Sequence, residues 1–137
     1  MPSGQKGRVD MEEKRGPLSP SEWRVMACLW TGPKTLMELV HLLKDSAGWA
    51  KSTVTTMVRR MEEKGLIDYE TSGRAKVFRA ALAREDAAAV EADSLLERAF
   101  HGSVGLLVSS LVDRSSLSKA DIDELYAILD KAGEESK

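Results

Sequence analysis

Cysteine is almost absent from this 137-residue chain, with Cys28 the single example. One thiol cannot close an internal disulfide, and it excludes the closely spaced thiolates that select copper or zinc. Cys28 lies between apolar residues of a helical pattern and reads as core. Histidine is nearly as scarce. His41 fits a helix surface and His101 a turn, neither with a second ligand at metal spacing, so no metal site is expected. No run approaches the ~18 apolar residues of a membrane span. The N-terminus lacks the apolar core of a signal peptide, so a cytoplasmic location is expected. No glycine-rich loop follows a strand, and no motif joins a nucleophile to a base and an orienting group. Paired acids such as Glu62 and Glu63 read as charge on a helix surface. An enzyme is therefore not expected, and neither a cofactor nor a small-molecule ligand is evident.

The net charge of −2 looks wrong for a nucleic-acid binder, but its distribution does not. Residues 1–80 carry 14 Lys and Arg against 10 Asp and Glu, while residues 81–137 carry 6 against 12. A basic half and an acidic half suit a protein that meets DNA with one end and itself with the other.

The informative stretch is WAKSTVTTMVRRMEEKG, Trp49 to Gly65. Val54, Met57, Val58 and Met61 recur at helical spacing and form one apolar stripe. Ser52, Thr55, Thr56, Arg59 and Arg60 fall on the opposite side, with no acid before Glu62. Hydroxyls reach base edges and thymine methyls, and guanidinium groups hold phosphates. A solvated helix face has the same pattern, and this helix alone does not separate the two readings.

Its surroundings add weight. Residues 1–17 mix Gly, Pro and charge without apolar period and read as a disordered arm, with Lys6, Arg8, Lys14 and Arg15 as charges within reach of DNA. Ser19, Pro20 and Glu22 then form a capping box, with Leu18 and Trp23 spaced as a hydrophobic staple. That helix runs to about Trp30. Trp23, Met26, Ala27 and Trp30 make one stripe, Val25 and Leu29 another. Thr35 and Glu38 repeat the box ahead of a second helix with Leu36, Leu39, Val40 and Leu43 inward. Lys44 to Gly48 reads as the turn into the helix of Trp49–Gly65, which gives helix-turn-helix spacing. Leu66–Glu70 and Lys76–Arg79 are β-prone runs around the turn Thr71–Arg74. A hairpin there is either an ordinary surface hairpin or, as its position favours, a wing with Arg74 at its tip and Lys76 just after it.

The remainder is helical. Ala88, Ala92, Leu95 and Ala99 share one face. Ser103 caps a helix with Val104, Leu107, Val108 and Leu111 in its stripe. Ser118 and Asp121 cap a last helix with Ile122, Leu125, Tyr126 and Leu129. Three short amphipathic helices bury little by themselves, so a dimer core is expected, against a monomeric extension folded back on the first domain.

The stretches LSPSEWRVMACLW, STVTTMVRRMEEKGLI, GRAKVFRA, FHGSVGLLV and LSKADIDEL, covering nearly all of residues 18–130, resemble the penicillinase-repressor family of BlaI/MecI-type repressors and their CopY-type relatives. The resemblance implies a winged-helix head, a helical dimerisation domain and repression at an operator dyad. Carried over by position, the reading-helix residues are Ser52, Thr53, Thr55, Thr56 and Arg60. BlaI/MecI-type members are released by proteolysis triggered by a membrane β-lactam sensor, which implies a sensor-linked protease as partner. Their cut falls between Asn and Phe within a dimerisation helix. The matching bond here is Ser110–Leu111, which departs from that pattern. CopY-type members carry a cysteine-rich C-terminal motif that this chain lacks.

The expectation is thus a mostly α chain with a small β-hairpin wing: an arm over 1–17, a winged helix-turn-helix domain over 18–81, a dimerisation domain over 82–132 and a flexible tail over 133–137. DNA contacts are expected from Lys51, Ser52, Thr53, Thr55, Thr56, Arg59, Arg60, Arg74 and Lys76. Dimer contacts are expected from Leu95, Val104, Leu107, Val108, Leu111, Ile122, Leu125 and Leu129. The partners are double-stranded operator DNA and a second copy. A winged helix that binds protein, or a repressor of the same family answering another signal, are the rival readings; exposed apolar residues on the reading face would favour the first.

Overall fold

The computed structural model describes residues 16–136. Most of the proposed arm, residues 1–15 with Lys6, Arg8, Lys14 and Arg15, lies outside them. The order of elements is α1 (Pro20–Leu29), β1 (Lys34–Thr35), α2 (Leu36–Ala47), α3 (Lys51–Glu63), β2 (Ile67–Ser72), β3 (Ala75–Ala80), α4 (Arg84–Phe100), α5 (Val104–Asp113) and α6 (Lys119–Glu135). This is a mostly helical winged helix-turn-helix fold followed by C-terminal helices. The chain divides into two compact units at Ser94–Leu95, so α4 begins in the first and ends in the second.

Helix starts follow local chemistry. Ser19 accepts from the Glu22 N–H while Glu22 accepts from the Ser19 N–H, and Thr35 with Glu38 does the same for α2. Each box satisfies two donors that a helix start leaves unpaired. The end of α2 differs from expectation. Lys44 to Ala47 is helical, and the turn begins only at Gly48, whose φ of 70° makes the left-handed cap. A side chain is strained there, which is why glycine ends the helix.

In the first unit α1, α2 and α3 surround one core with Val25, Met26, Leu39, Leu43, Val54 and Met61 at its centre. Truncating one of the large side chains there costs ~2–5 kcal/mol through lost burial and a residual cavity. Ala27, expected on the inner stripe of α1, is exposed; Glu22 takes an inward position instead.

The sheet has three antiparallel strands in the order β1-β3-β2. The hairpin pairs Ile67 with Ala80 through Ser72 with Ala75, around Gly73 at φ 64° and Arg74. β1, too short to show a period of two, pairs Lys34 with Phe78 and Thr35 with Val77, anchoring the wing to the start of α2. Strand alternation puts Phe78 inward on the core, with Lys76 and Tyr69 on its face, and turns Arg79, Asp68 and Glu70 to the other face.

α4 is fastened to α1 within the first unit. The Trp30 Nε1–H donates to the Leu82 carbonyl at 2.9 Å, and the Trp23 Nε1–H to Glu91 at 3.4 Å. The two rings meet edge to face at 5.5 Å, and the Arg84 guanidinium lies 5.7 Å from the Trp30 ring. The inward residue of α4 is Ala87, whereas Ala88, Ala92, Leu95 and Ala99 are exposed.

In the second unit, Ser103 caps α5, and Ser118 with Asp121 boxes α6. α6 continues through Gly133 to Glu135, where the sequence suggested a flexible tail.

Candidate nucleic-acid interface

α3 presents its polar side as two rows, a division that the sequence pattern had merged. Ser52, Thr53, Thr56 and Arg60 line one shallow surface with Met57 beside them. Thr55 and Arg59 turn the other way, onto a groove shared with Lys76 of the wing. Ser52, Thr53, Thr55, Arg59 and Arg60 are exposed, and Thr56 is half-buried. Met57, expected in the core stripe, is half-buried at its edge. Val54, Val58 and Met61 carry the inner face.

The Thr55 hydroxyl donates to the Lys51 carbonyl at 2.9 Å. Its proton is thereby committed to the helix, leaving the methyl group and an acceptor lone pair outward. The start of α3 has no side-chain cap: Ala50 stands at the N-cap, and no acid occupies the first turn. Lys51 is exposed there. The uncapped N–H groups of this helix N-terminus and a lysine give an anion two sources of attraction.

The wing is electrically simpler than its composition suggests. Arg79 bridges Asp68 and Glu70 on the outer face. Its guanidinium offsets one of the two carboxylate charges there, and Arg74 at the turn and Lys76 beside it carry positive charge at and next to the tip. Lys76 rests over the Tyr69 ring at 4.2 Å, which fixes the direction of its stem.

A contact that sequence periodicity missed holds the far end of α3. The Lys64 Nζ donates to Glu22 at 2.6 Å. The two residues are 42 positions apart, so no local spacing links them. The available signal was an acid at an inward position of α1. Cys28 is half-buried, and burial pushes its thiol pKa up despite Lys34, which makes it a poor nucleophile. Among the described residues, no cluster of three His, Cys, Asp or Glu is arranged to hold a metal.

A family model described as penicillinase repressor matches residues 18–131. The chain belongs to the penicillinase repressor family. Members of this family are transcriptional repressors, not enzymes. The chain is 30% identical over 120 residues to an uncharacterised 16.5 kDa protein of Latilactobacillus sakei, covering 87% of this chain and 82% of that one. It is 28% identical over 115 residues to the penicillinase repressor of Bacillus licheniformis, covering 83% and 90%. The solved DNA-binding domain of the repressor BlaI aligns with a TM-score of 0.47 at 26% identity, over 50% of this chain and 85% of that one.

As a penicillinase repressor family member, the chain has a second surface to account for. No residue of α5 or α6 is buried. Val104, Ile122 and Leu129 are exposed, Leu129 at 62%, and Leu95 near the end of α4 is exposed too. Leu107, Val108, Leu111 and Leu125 are half-buried. Val108, Leu117, Ile122, Leu125 and Leu129 line an apolar cleft of about 290 Å³. Ser110 and Leu111 lie within α5, both half-buried.

Proposed function

We propose that this repressor binds an inverted-repeat operator as a homodimer. The observation carrying the reading is the row of Ser52, Thr53, Thr56 and Arg60 along one exposed side of α3, free of acids, with a cationic wing tip on the same unit. Short hydroxyl side chains beside guanidinium groups suit base edges flanked by phosphates, and large exposed apolar side chains, which a protein-binding face would offer, are lacking along this row. Lys51 and the uncapped start of α3 hold one phosphate. Arg59, Arg74 and Lys76 hold others.

The uncovered apolar sides of α5 and α6 support the second half of the reading. A second copy covers Val104, Leu107, Val108, Leu111, Ile122, Leu125 and Leu129, with Leu95 in the second half of α4. A two-fold dimer then offers two reading helices to one duplex, hence the inverted repeat. Working on DNA, the protein acts in the cytoplasm.

Repression ends when the dimer is lost, by cleavage within α5 near residues 108–114, in a response of the β-lactam type with a sensor-linked protease as partner. The bond Ser110–Leu111 is the candidate, and its residues differ from Asn–Phe. Cutting there removes α6 and the end of α5 from the head.

The experiment is selection of bound duplexes from a random pool with the full chain, followed by mapping of bound sites across the genome. Recovered inverted repeats upstream of a defined set of genes support the reading and name the pathway. Recovery of random duplexes alone sinks it.

A further inference from the structure

A groove of about 440 Å³ opens between α3 and the wing. Its floor is Leu36, Met37, Val58 and Phe78, brought together from α2, α3 and β3. Val58 and Phe78 are packed into the core, whereas Met37 remains 46% exposed. At the rim stand Arg59 from α3 and Lys76 from β3, with Glu62 one turn along from Arg59. Two cations against one carboxylate leave the rim positive.

DNA accounts for the cations but not for the floor. Phosphates are charged and strongly hydrated, and they gain nothing from Met37 or Phe78. An apolar concavity with a few convergent polar groups, in the ~300–1,000 Å³ range, is the form of a small-molecule site. The cleft between α5 and α6 is different: it lacks a charged rim and belongs to the proposed dimer surface.

We propose that this groove binds a small apolar monocarboxylate, its hydrocarbon on Met37 and Phe78 and its carboxylate between Arg59 and Lys76, and that occupancy weakens operator binding. The regulatory half rests on the reading of α3 and the wing as the DNA-contacting surface. The ligand's one negative charge cancels the rim's net positive charge and engages both cations that otherwise face phosphates, and its body stands between α3 and the wing. Glu62 opposes a second negative charge on the ligand, so a dicarboxylate fits less well.

The test uses 2-naphthoate and the isotopically labelled full chain without DNA. Saturable shifts of the Val58, Arg59, Ala75 and Lys76 amides are expected, with a Kd on the order of 1 mM or tighter for a ligand of this size. The uncharged analogue 2-naphthylmethanol should bind about tenfold more weakly, and 2-naphthoate should lose about as much on Arg59→Gln, since each removes a charge-assisted contact. Met37→Glu, at an exposed floor position, should abolish binding without unfolding the chain. Equal affinity for acid and alcohol, or shifts confined to other surfaces, overturns the site.

The second arm measures binding to the selected operator at fixed ionic strength. Saturating 2-naphthoate should raise the apparent operator Kd about fivefold or more, since losing two phosphate contacts is costly. Unchanged operator affinity with the groove occupied overturns the regulatory half. A chain that binds 2-naphthoate but no duplex overturns that half as well, together with the DNA reading, and leaves the ligand site standing.

Discussion

The Lys64 ammonium reaches back from the end of α3 to the carboxylate of Glu22, only 6% exposed at the start of α1. Glu22 is shared between two tasks, since its other oxygen completes the capping box with Ser19. The pair therefore sets where α3 ends relative to α1. Burial by itself raises the Glu22 pKa. The Lys64 hydrogen bond, the Ser19 N–H, the Lys64 charge and the Ser19 hydroxyl outweigh it and hold the carboxyl below its ordinary range.

This arrangement has a defined pH signature. The folded pKa lies below the unfolded one, so the unfolded state binds more protons between them. The stability from ionised Glu22 is present above the unfolded value and lost as pH falls through the folded value. Lys64→Met should cost about 1–3 kcal/mol at pH 7, because it strips a buried carboxylate of a charged partner. Urea unfolding at pH 7 and again below the carboxylate range checks this. A deficit that does not shrink in acid would mean that packing, not the ion pair, is at stake.

Thr56 should read sequence. It stands half-buried in the row with Ser52, Thr53 and Arg60. Thr56→Ala should cost about 1–3 kcal/mol of discrimination between operator and random duplex. Titrating both duplexes at one salt concentration measures it. Equal losses on the two would take Thr56 out of sequence readout.

Arg74 should act on phosphate alone. It sits exposed in the two-residue turn of the wing, beyond the bridges that tie Asp68 and Glu70 to Arg79. Arg74→Ala should weaken both duplexes alike and lower the salt slope by about one unit of log K per log salt. A slope that stays put places the wing tip away from the backbone.

Leu129 offers a cleaner test of the dimer than a half-buried neighbour such as Leu107. Being 62% exposed in the protomer, it tolerates a charge without unfolding α6. Leu129→Asp should sediment as a monomer at micromolar concentration, since an interface would bury that charge unpaired. Operator affinity should fall by about a hundredfold as the two half-site contacts lose their tether. A dimer that persists assigns the interface to other residues.

Cleavage in α5 should have the same consequence. Residues 1–110 alone lack α6 and the last turn of α5. Their operator affinity should drop by about a hundredfold or more, and their affinity for random duplex much less. Operator binding close to that of the full chain would show that a cut there releases nothing.

What sequence by itself determined was local. The capping boxes at Ser19, Thr35 and Ser118, the inner stripe Val54–Val58–Met61 and the hairpin around Gly73 all depend on residues a few positions apart. Such signals survive in a linear reading because one turn of helix or one tight turn contains every partner. The family resemblance was legible for the same reason, as short stretches in a fixed order.

Tertiary structure alone decided the rest. β1 is too short to show a period, and it exists because β3 lies beside it. The inward face of α4 turned out to be Ala87 and not the Ala88–Leu95 row, because Trp30, just past α1, holds the Leu82 carbonyl ahead of α4 while Trp23 of α1 holds Glu91 on it. The Glu22–Lys64 pair and the groove in which Thr55 and Arg59 meet Met37 and Phe78 join residues distant in sequence. Periodicity records which side of an element is apolar, but which neighbour covers that side is settled only when the elements pack.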